Sequence, residues 1–237
     1  MILQNLEPYY RDERTAIYCC DCMELMKMLP DNCIDLVVTS PPYNIGTGKG
    51  ANWKAKEWYS DDMPESEYQK WQRSIVLECL RVSEVVCYNH KVRNRDLRVI
   101  HPVFWLPHEY LYQEIIWSRE RTPQMNKCYF HPTDERIYIL ATNPKGIMKD
   151  NGNFSTVWEI RFNQRTDFPN PNTFPDELVE RCTRAFTEEN GIVFDPFLGS
   201  GTTCVVARKM GRRSIGCDIV EEYCEVAKRR ILGVRTD

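Results

Sequence analysis

The chain has 237 residues, enough for one large α/β domain with insertions. Its hydrophobic fraction of 42% allows a buried core, and no run of 18 apolar residues is present, which argues against a membrane-spanning helix. A net charge of −3 excludes a uniformly basic nucleic-acid binder but not a polarised one: residues 87–165 hold 12 Lys or Arg against 8 Asp or Glu, whereas residues 1–86 hold 9 against 14.

In chain order, residues 16–20 read as a strand and 23–29 as a short helix that Pro30-Asp31-Asn32 breaks. Residues 34–39 form a strand rich in β-branched side chains, buried on both faces, that ends in Pro-Pro. A polar loop over 44–62 leads to a helix over 65–81, with Tyr68, Trp71 and Ile75 at helical spacing. Residues 85–88 are a strand and 91–98 a charged loop carrying Lys91, Arg93, Arg95 and Arg98. Strands are expected at 114–117 and 136–141, separated and followed by loops at 119–132 and 143–172 that are rich in Pro, Asn and aromatic residues; loops of that length in an enzyme are usually functional. Regular alternation then resumes with a helix over 175–185, with Pro in its first turn. A strand over 192–195, a helix over 200–210, a strand over 213–217 and a helix over 220–231 follow.

Eleven cysteines in a chain of this size predict reduced thiols, and the opening residues lack a secretory pattern, so a cytoplasmic location is expected. Cys19 and Cys22 form a C-x-x-C, but no second pair or His pair follows at zinc spacing, so no metal is expected.

Two stretches carry chemistry. Ser40-Pro41-Pro42-Tyr43 follows a buried strand and belongs at the carboxyl edge of a sheet. An aromatic amine is a poor nucleophile because its lone pair is delocalised. Two acceptors on its N–H groups, the Ser40 hydroxyl and the Pro41 carbonyl, draw the nitrogen toward sp3 geometry while Tyr43 stacks on the base, after which alignment matters more than a strong base. Standing alone, the same stretch reads as an ordinary strand-ending turn. The second stretch, Phe194-Asp195-Pro196-Phe197-Leu198-Gly199-Ser200-Gly201-Thr202-Thr203, joins a strand to a helix through glycines, the grammar of a nucleotide turn. Position 204 is Cys rather than a third Gly, and no Gly-Lys-Ser/Thr occurs, so neither a full dinucleotide fingerprint nor a P-loop is present. Asp218 ends the next strand, where an acid accepts from both ribose hydroxyls.

With these two motifs in this order, the chain resembles the S-adenosylmethionine-dependent DNA amino-methyltransferases of the permuted β class, whose S/D/N-P-P-Y motif precedes the recognition region and whose F-x-G-S-G-T motif comes last. The similarity covers nearly the whole chain and implies a Rossmann-like methyltransferase fold: an α/β domain with a mostly parallel twisted sheet, helices on both faces and an inserted target-recognition region. Residues 1–237 are then a single domain, with a catalytic half at about 1–118, the recognition insertion at about 119–172 and the cofactor half at about 173–237. By position, the resemblance implies S-adenosylmethionine held by Phe197, Gly199, Ser200, Gly201 and Thr202 at its methionine end, by Asp218 at the ribose and by Asp21 near the adenine. Asp195 belongs to the same block, and Thr173 and Phe174 close over the cofactor. Ser40, Pro41, Pro42 and Tyr43 hold a base flipped from double-stranded DNA.

Ser at the first motif position accompanies cytosine N4 methylation in such enzymes, and Asp or Asn accompanies adenine N6 methylation; the expected activity is therefore N4-cytosine methylation, with N6-adenine the alternative. DNA contacts are expected from Lys49, Lys54 and Lys56 and from Arg119, Arg121, Asn126, Arg161, Asn163, Gln164 and Arg165. The short recognition region implies a short target or a second subunit, a homodimer, in reading it. A cognate restriction endonuclease is a further implied partner. An RNA or protein glutamine methyltransferase would place its cofactor loop earlier, and a non-catalytic DNA-binding module would not need both motifs intact.

Overall fold

The computed structural model describes residues 6–45, 62–119, 130, 132–161 and 173–233. The elements in chain order are β1 (Tyr10–Arg11), β2 (Thr15–Cys19), α1 (Cys22–Met28), β3 (Leu36–Thr39), α2 (Glu65–Val82) and β4 (Val85–His90). Then come β5 (Arg93–Arg95), β6 (Arg98–Ile100), 3-10 turns at Pro102–Phe104 and His108–Tyr110, β7 (Leu111–Ser118), β8 (Asp134–Ala141) and β9 (Val157–Glu159). The chain closes with α3 (Asp176–Phe186), β10 (Ile192–Asp195), α4 (Thr202–Lys209), β11 (Arg213–Asp218) and α5 (Glu221–Ile231).

Nine strands form one sheet in the order β1-β2-β11-β10-β3-β4-β8-β7-β9, and β5 and β6 form a separate hairpin. The run from β2 through β11, β10 and β3 to β4 is parallel, while β8 is antiparallel to both β4 and β7. The C-terminal strands thus enter the middle of the sheet, which sets β10 beside β3: Val193 pairs with Leu36 and Phe194 with Val37.

Central strands of a parallel sheet are apolar on both sides because helices cover both faces. Val37, Val86, Tyr88 and Phe194 pack against α1 and α2 through Leu25, Met26, Ile75 and Val76. Their neighbours Leu36, Val38, Val85 and Val193 pack on the opposite face against α3 and α4 through Leu178, Val179, Val206 and Ala207. α5 continues that second layer, with Cys224 and Ala227 on Ile17 and Leu198.

Three expectations change. Residues 91–98, expected as a charged loop, hold β5 and the start of β6, joined by the two-residue turn Asp96-Leu97; both residues have positive φ, as a type I′ turn requires, but Leu stands at the second position where Gly announces one. The loop expected over 143–172 contains β9, which pairs in parallel with β7 through Trp117 and Trp158 and is too short to show an alternation. Residues 134–141 and 157–159 of the expected recognition insertion therefore belong to the main sheet. Finally, α4 starts at Thr202 rather than 200, because Gly201 sits at the cap in the left-handed region, φ +75°.

Candidate active site

Parallel neighbours present their carboxyl ends at the same sheet edge, so the Ser40–Tyr43 loop after β3 and the 196–201 loop after β10 open side by side. Asp195 ties them together. It is 1% exposed; its Oδ1 accepts from Thr39 Oγ1 at 2.8 Å and from the Phe197 N–H at 3.1 Å, and its Oδ2 accepts from Thr203 Oγ1 at 2.6 Å. Expected among the cofactor residues, Asp195 lies beneath the two loops as their staple.

Burial raises the Asp195 carboxyl to about 6, with its hydrogen bonds only partly opposing that rise. A raised folded-state value means that its contribution to stability is full below the unfolded value and is lost as pH rises through about 6. The loss amounts to about 3 kcal/mol. Buried His90, pushed down to about 3 by desolvation, works the other way, its contribution being lost as pH falls below the ordinary histidine range. The readout is therefore the difference between wild type and Asp195→Asn. Urea denaturation will show the wild type losing about 2 kcal/mol relative to the variant between pH 4 and pH 7; a difference independent of pH contradicts this account of Asp195.

The turn after β10 needs its glycines. Gly199 has φ +49° and Gly201 φ +75°. A Cβ on Gly199 would meet only the Phe197 carbonyl, at 3.8 Å, so the open side of the turn admits a ligand against the backbone. No side chain caps the N-terminus of α4, which leaves N–H groups of its first turn for an anion. Asp218 accepts from the Gly199 N–H at 2.9 Å through Oδ2 and from the Val220 N–H at 3.0 Å through Oδ1, which uses one acceptor position on each oxygen and leaves others for hydroxyls. Burial raises its carboxyl above the ordinary range. Phe197 is half-buried and packs edge-on against Trp71 at 5.9 Å. These features fit a nucleoside with a carboxylate-bearing tail.

Two expected contacts take a different form. The Ser200 and Thr202 side chains are buried and accept from Arg230 Nη1 at 2.7 and 3.1 Å, so they lock the turn to α5, and what they offer a ligand is backbone. Asp21 caps α1, its Oδ1 accepting from the Met23 N–H at 2.8 Å and the Glu24 N–H at 3.3 Å; it stands at the carboxyl end of β2, on the same sheet edge.

At the Ser40–Tyr43 loop lies a cavity of about 70 Å³ that brings Ser40 and Tyr43 together with Thr173 and Phe174. Its remaining walls are Asn89, Lys91, Trp117, Arg119 and Glu135, from the carboxyl ends of β4 and β7 and the start of β8. The Tyr43 hydroxyl is 2.7 Å from Ser40 Oγ, 2.9 Å from Asn89 Oδ1 and 3.0 Å from Glu135 Oε2. One phenolic proton serves these three oxygens, and the charged acceptor draws it most strongly. With that proton toward Glu135, the Ser40 hydroxyl donates to Tyr43 and turns its lone pairs outward. Burial, reinforced by Glu135, holds the Tyr43 hydroxyl well above its ordinary pKa, so it stays protonated. Glu135 also pairs with Arg119, and the Asn89 amide donates to the Arg136 carbonyl at 3.0 Å, which fixes its oxygen toward Tyr43. The next carbonyl of the loop, that of Pro42, is drawn inward by the Tyr68 hydroxyl at 2.7 Å and Gln72 Nε2 at 3.4 Å.

Sequence reasoning missed Asn89, Lys91, Trp117 and Glu135. Asn89, Lys91 and Trp117 lie at or just after the carboxyl ends of β4 and β7 and Glu135 at the start of β8, so the four share a sheet edge but no sequence signal. Arg119, expected among the DNA contacts, lines the cavity beside Ser40, because β7 carries it to the same sheet edge. Arg161 is exposed just beyond β9. Lys49, Lys54, Lys56, Arg121, Asn126, Asn163, Gln164 and Arg165 lie outside the described residues.

A family model described as "DNA methylase", of the N6/N4 type, matches residues 34–229. The chain is 31% identical over 258 residues to the Type II methyltransferase M.BglII of Bacillus subtilis, a match that covers 92% of this chain and 69% of the relative. Its fold is similar to that of the cytosine-N4-specific PvuII DNA methyltransferase, with a TM-score of 0.80 at 19% identity over 98% of this chain and 92% of the other. It is also similar to the M1.HpyAVI–SAM complex, with a TM-score of 0.62 at 19% identity over 92% and 99% of the two chains.

Proposed function

The chain belongs to the N6/N4 DNA methylase family as an S-adenosylmethionine-dependent DNA methyltransferase, and on that premise we propose that it methylates the N4 amino group of cytosine in duplex DNA. The observation that carries this reading is the line Ser40–Tyr43–Glu135, which leaves Ser40 as a hydrogen-bond acceptor in the wall of the cavity. S-adenosylmethionine supplies an electrophilic sulfonium methyl group. Ser40 Oγ and the Pro41 carbonyl each accept one N–H of the target amine, which aims its lone pair. As the methylated amine sheds its extra proton, Ser40 takes it, passes its own to Tyr43, and Tyr43 passes its own to Glu135. Lys91 and Arg119 add two cationic donors to the cavity wall. That suits cytosine, which offers two acceptors, N3 and O2, beside its amino group, better than adenine, which offers N1 alone on that edge.

Asp218, Gly199, Gly201 and the first turn of α4 hold the cofactor in this reading, with Phe197, Thr173 and Phe174 beside it and Asp21 at the adenine end. Lys49, Lys54, Lys56, Arg121, Asn126, Arg161, Asn163, Gln164 and Arg165 contact the duplex, and one domain carries the whole activity. The Type II name of the Bacillus subtilis relative supports a restriction–modification setting, in which methylation protects DNA from a partner nuclease. Modified-base sequencing of DNA from cells expressing the chain tests this reading. N4-methylcytosine at one short recurring site is the expected outcome; N6-methyladenine at that site overturns the cytosine assignment, and unmodified DNA overturns the activity.

A further inference from the structure

The β5–β6 hairpin is not used by the chemistry above, yet it is rooted in the active site. It begins two residues after Lys91, which lines the cavity. Its first residue, Arg93, is buried: Nη1 donates to the Asn44 carbonyl at 3.3 Å, both terminal nitrogens bind Glu65 at 2.9 and 2.6 Å, and the guanidinium lies 4.8 Å from the Tyr68 ring centre. Asn44 directly follows Tyr43, so the root of the hairpin is clamped to the loop that holds the target base.

Toward the tip the hairpin violates what stabilises hairpins. Arg95 and Arg98 are directly opposite across the strands, a like-charge pair that disfavours the ladder. Arg95 has only a 3.6 Å approach to Glu65, and Arg98 has no ion pair among the described residues. At the tip, Leu97 adopts φ +59°, a conformation that a branched apolar side chain rarely takes, and it is 79% exposed. A solvated turn would carry Gly or Asn here. Anions on either side of the strands would relieve the arginines, and an apolar slot beyond the tip would take up the leucine. Duplex DNA with one base extruded offers both: phosphates flanking a gap in the stack. Apolar wedges flanked by basic residues enter base steps in this way, and extrusion of the base leaves the stack to be refilled. Three residues of strand carry the tip roughly 10 Å beyond its root.

We propose that the β5–β6 hairpin enters the duplex at the target nucleotide, Leu97 filling the place of the extruded base while Arg95 and Arg98 hold the adjoining phosphates. The inference rests on the DNA methyltransferase reading. Its test uses the full chain and two duplexes that carry the site mapped in expressing cells, one fully paired and one with the target base mispaired. Leu97→Gly relieves the left-handed strain, so the fold is retained. On the paired duplex kcat/KM falls about tenfold; on the mispaired duplex, where extrusion is already favoured, it falls less than twofold. An unchanged rate on the paired duplex, or an equal loss on both, overturns the wedge. With Arg95→Ala and Arg98→Ala combined, the slope of log affinity against log salt shrinks by roughly two; an unchanged slope overturns the phosphate contacts. A wild-type chain that methylates neither duplex refutes the methyltransferase reading itself.

Discussion

Replacing Ser40 by Ala lowers the rate of methyl transfer by about 10²- to 10³-fold, the usual loss for an oriented hydrogen-bond partner of the reacting group, and leaves the affinity for S-adenosylmethionine unchanged. The alanine removes the acceptor in the cavity wall and the donor to Tyr43 in one step. It does not touch the turn after β10 or Asp218, where the cofactor is held in this reading. Glu135→Gln is the milder member of the series. It keeps the shape of the line and an oxygen for Tyr43 but removes the charge that draws the phenolic proton, which costs about tenfold. Single-turnover rates give the first quantity and titration calorimetry of the cofactor the second. A Ser40→Ala variant within twofold of the wild-type rate, or one that loses cofactor affinity in proportion to its rate, contradicts the assigned role.

Gly201→Ala destabilises the fold by about 2–5 kcal/mol. Two costs add. At φ +75° a residue with a Cβ meets the left-handed penalty of about 1–2 kcal/mol. The Cβ would also lie 2.6 Å from Ala227 Cβ and 2.9 Å from Ala227 Cα. Ala227 is fully buried in α5 and has no flexible end to move aside, so helix and turn must separate, with an overpacking cost of about 1–3 kcal/mol. Gly199→Ala is the contrast. Its Cβ meets nothing closer than 3.8 Å, so stability falls only by about 1 kcal/mol, while the methyl group fills the open side of the turn and cofactor affinity drops. Urea denaturation of both variants, beside cofactor titration, separates the two glycines. Equal stability losses, or a Gly199→Ala variant with unaltered cofactor binding, contradict the division of labour.

Much of the fold is legible in the sequence because the informative strands are extreme in composition. Residues 34–39 carry four aliphatic side chains in six and lead into Pro-Pro, and residues 192–195 lead into a glycine turn, so both strands and the edge they share follow from local pattern. Their adjacency does not. It depends on β10 and β11 entering the sheet between β2 and β3, and no local signal reports that; the order of the two motifs stood in for it through family resemblance. The short elements fail for a local reason. β9 has three residues, and the β5–β6 turn uses Asp-Leu where the expected chemistry is Asn-Gly. Within the site, Ser40, Tyr43, Thr173 and Phe174 are found because each lies in or beside a motif. Glu135 and Asn89 reach Tyr43 from positions 92 and 46 residues away in sequence, through strand register alone. Arg119, expected among the DNA contacts from its basic character, is placed in the cavity wall by its pairing with Glu135, a position that strand register sets and local composition does not reveal.

One measurement bears on the whole account. The purified chain is incubated with unmethylated DNA and S-adenosylmethionine carrying a deuterated methyl group, the DNA is digested to nucleosides, and these are resolved by mass spectrometry. Labelled N4-methyldeoxycytidine, absent from the Ser40→Ala reaction, is the predicted product. Label in N6-methyldeoxyadenosine contradicts the reading of the cavity, and no label in any nucleoside contradicts the claim that the two loops at this sheet edge form one methyl-transfer site.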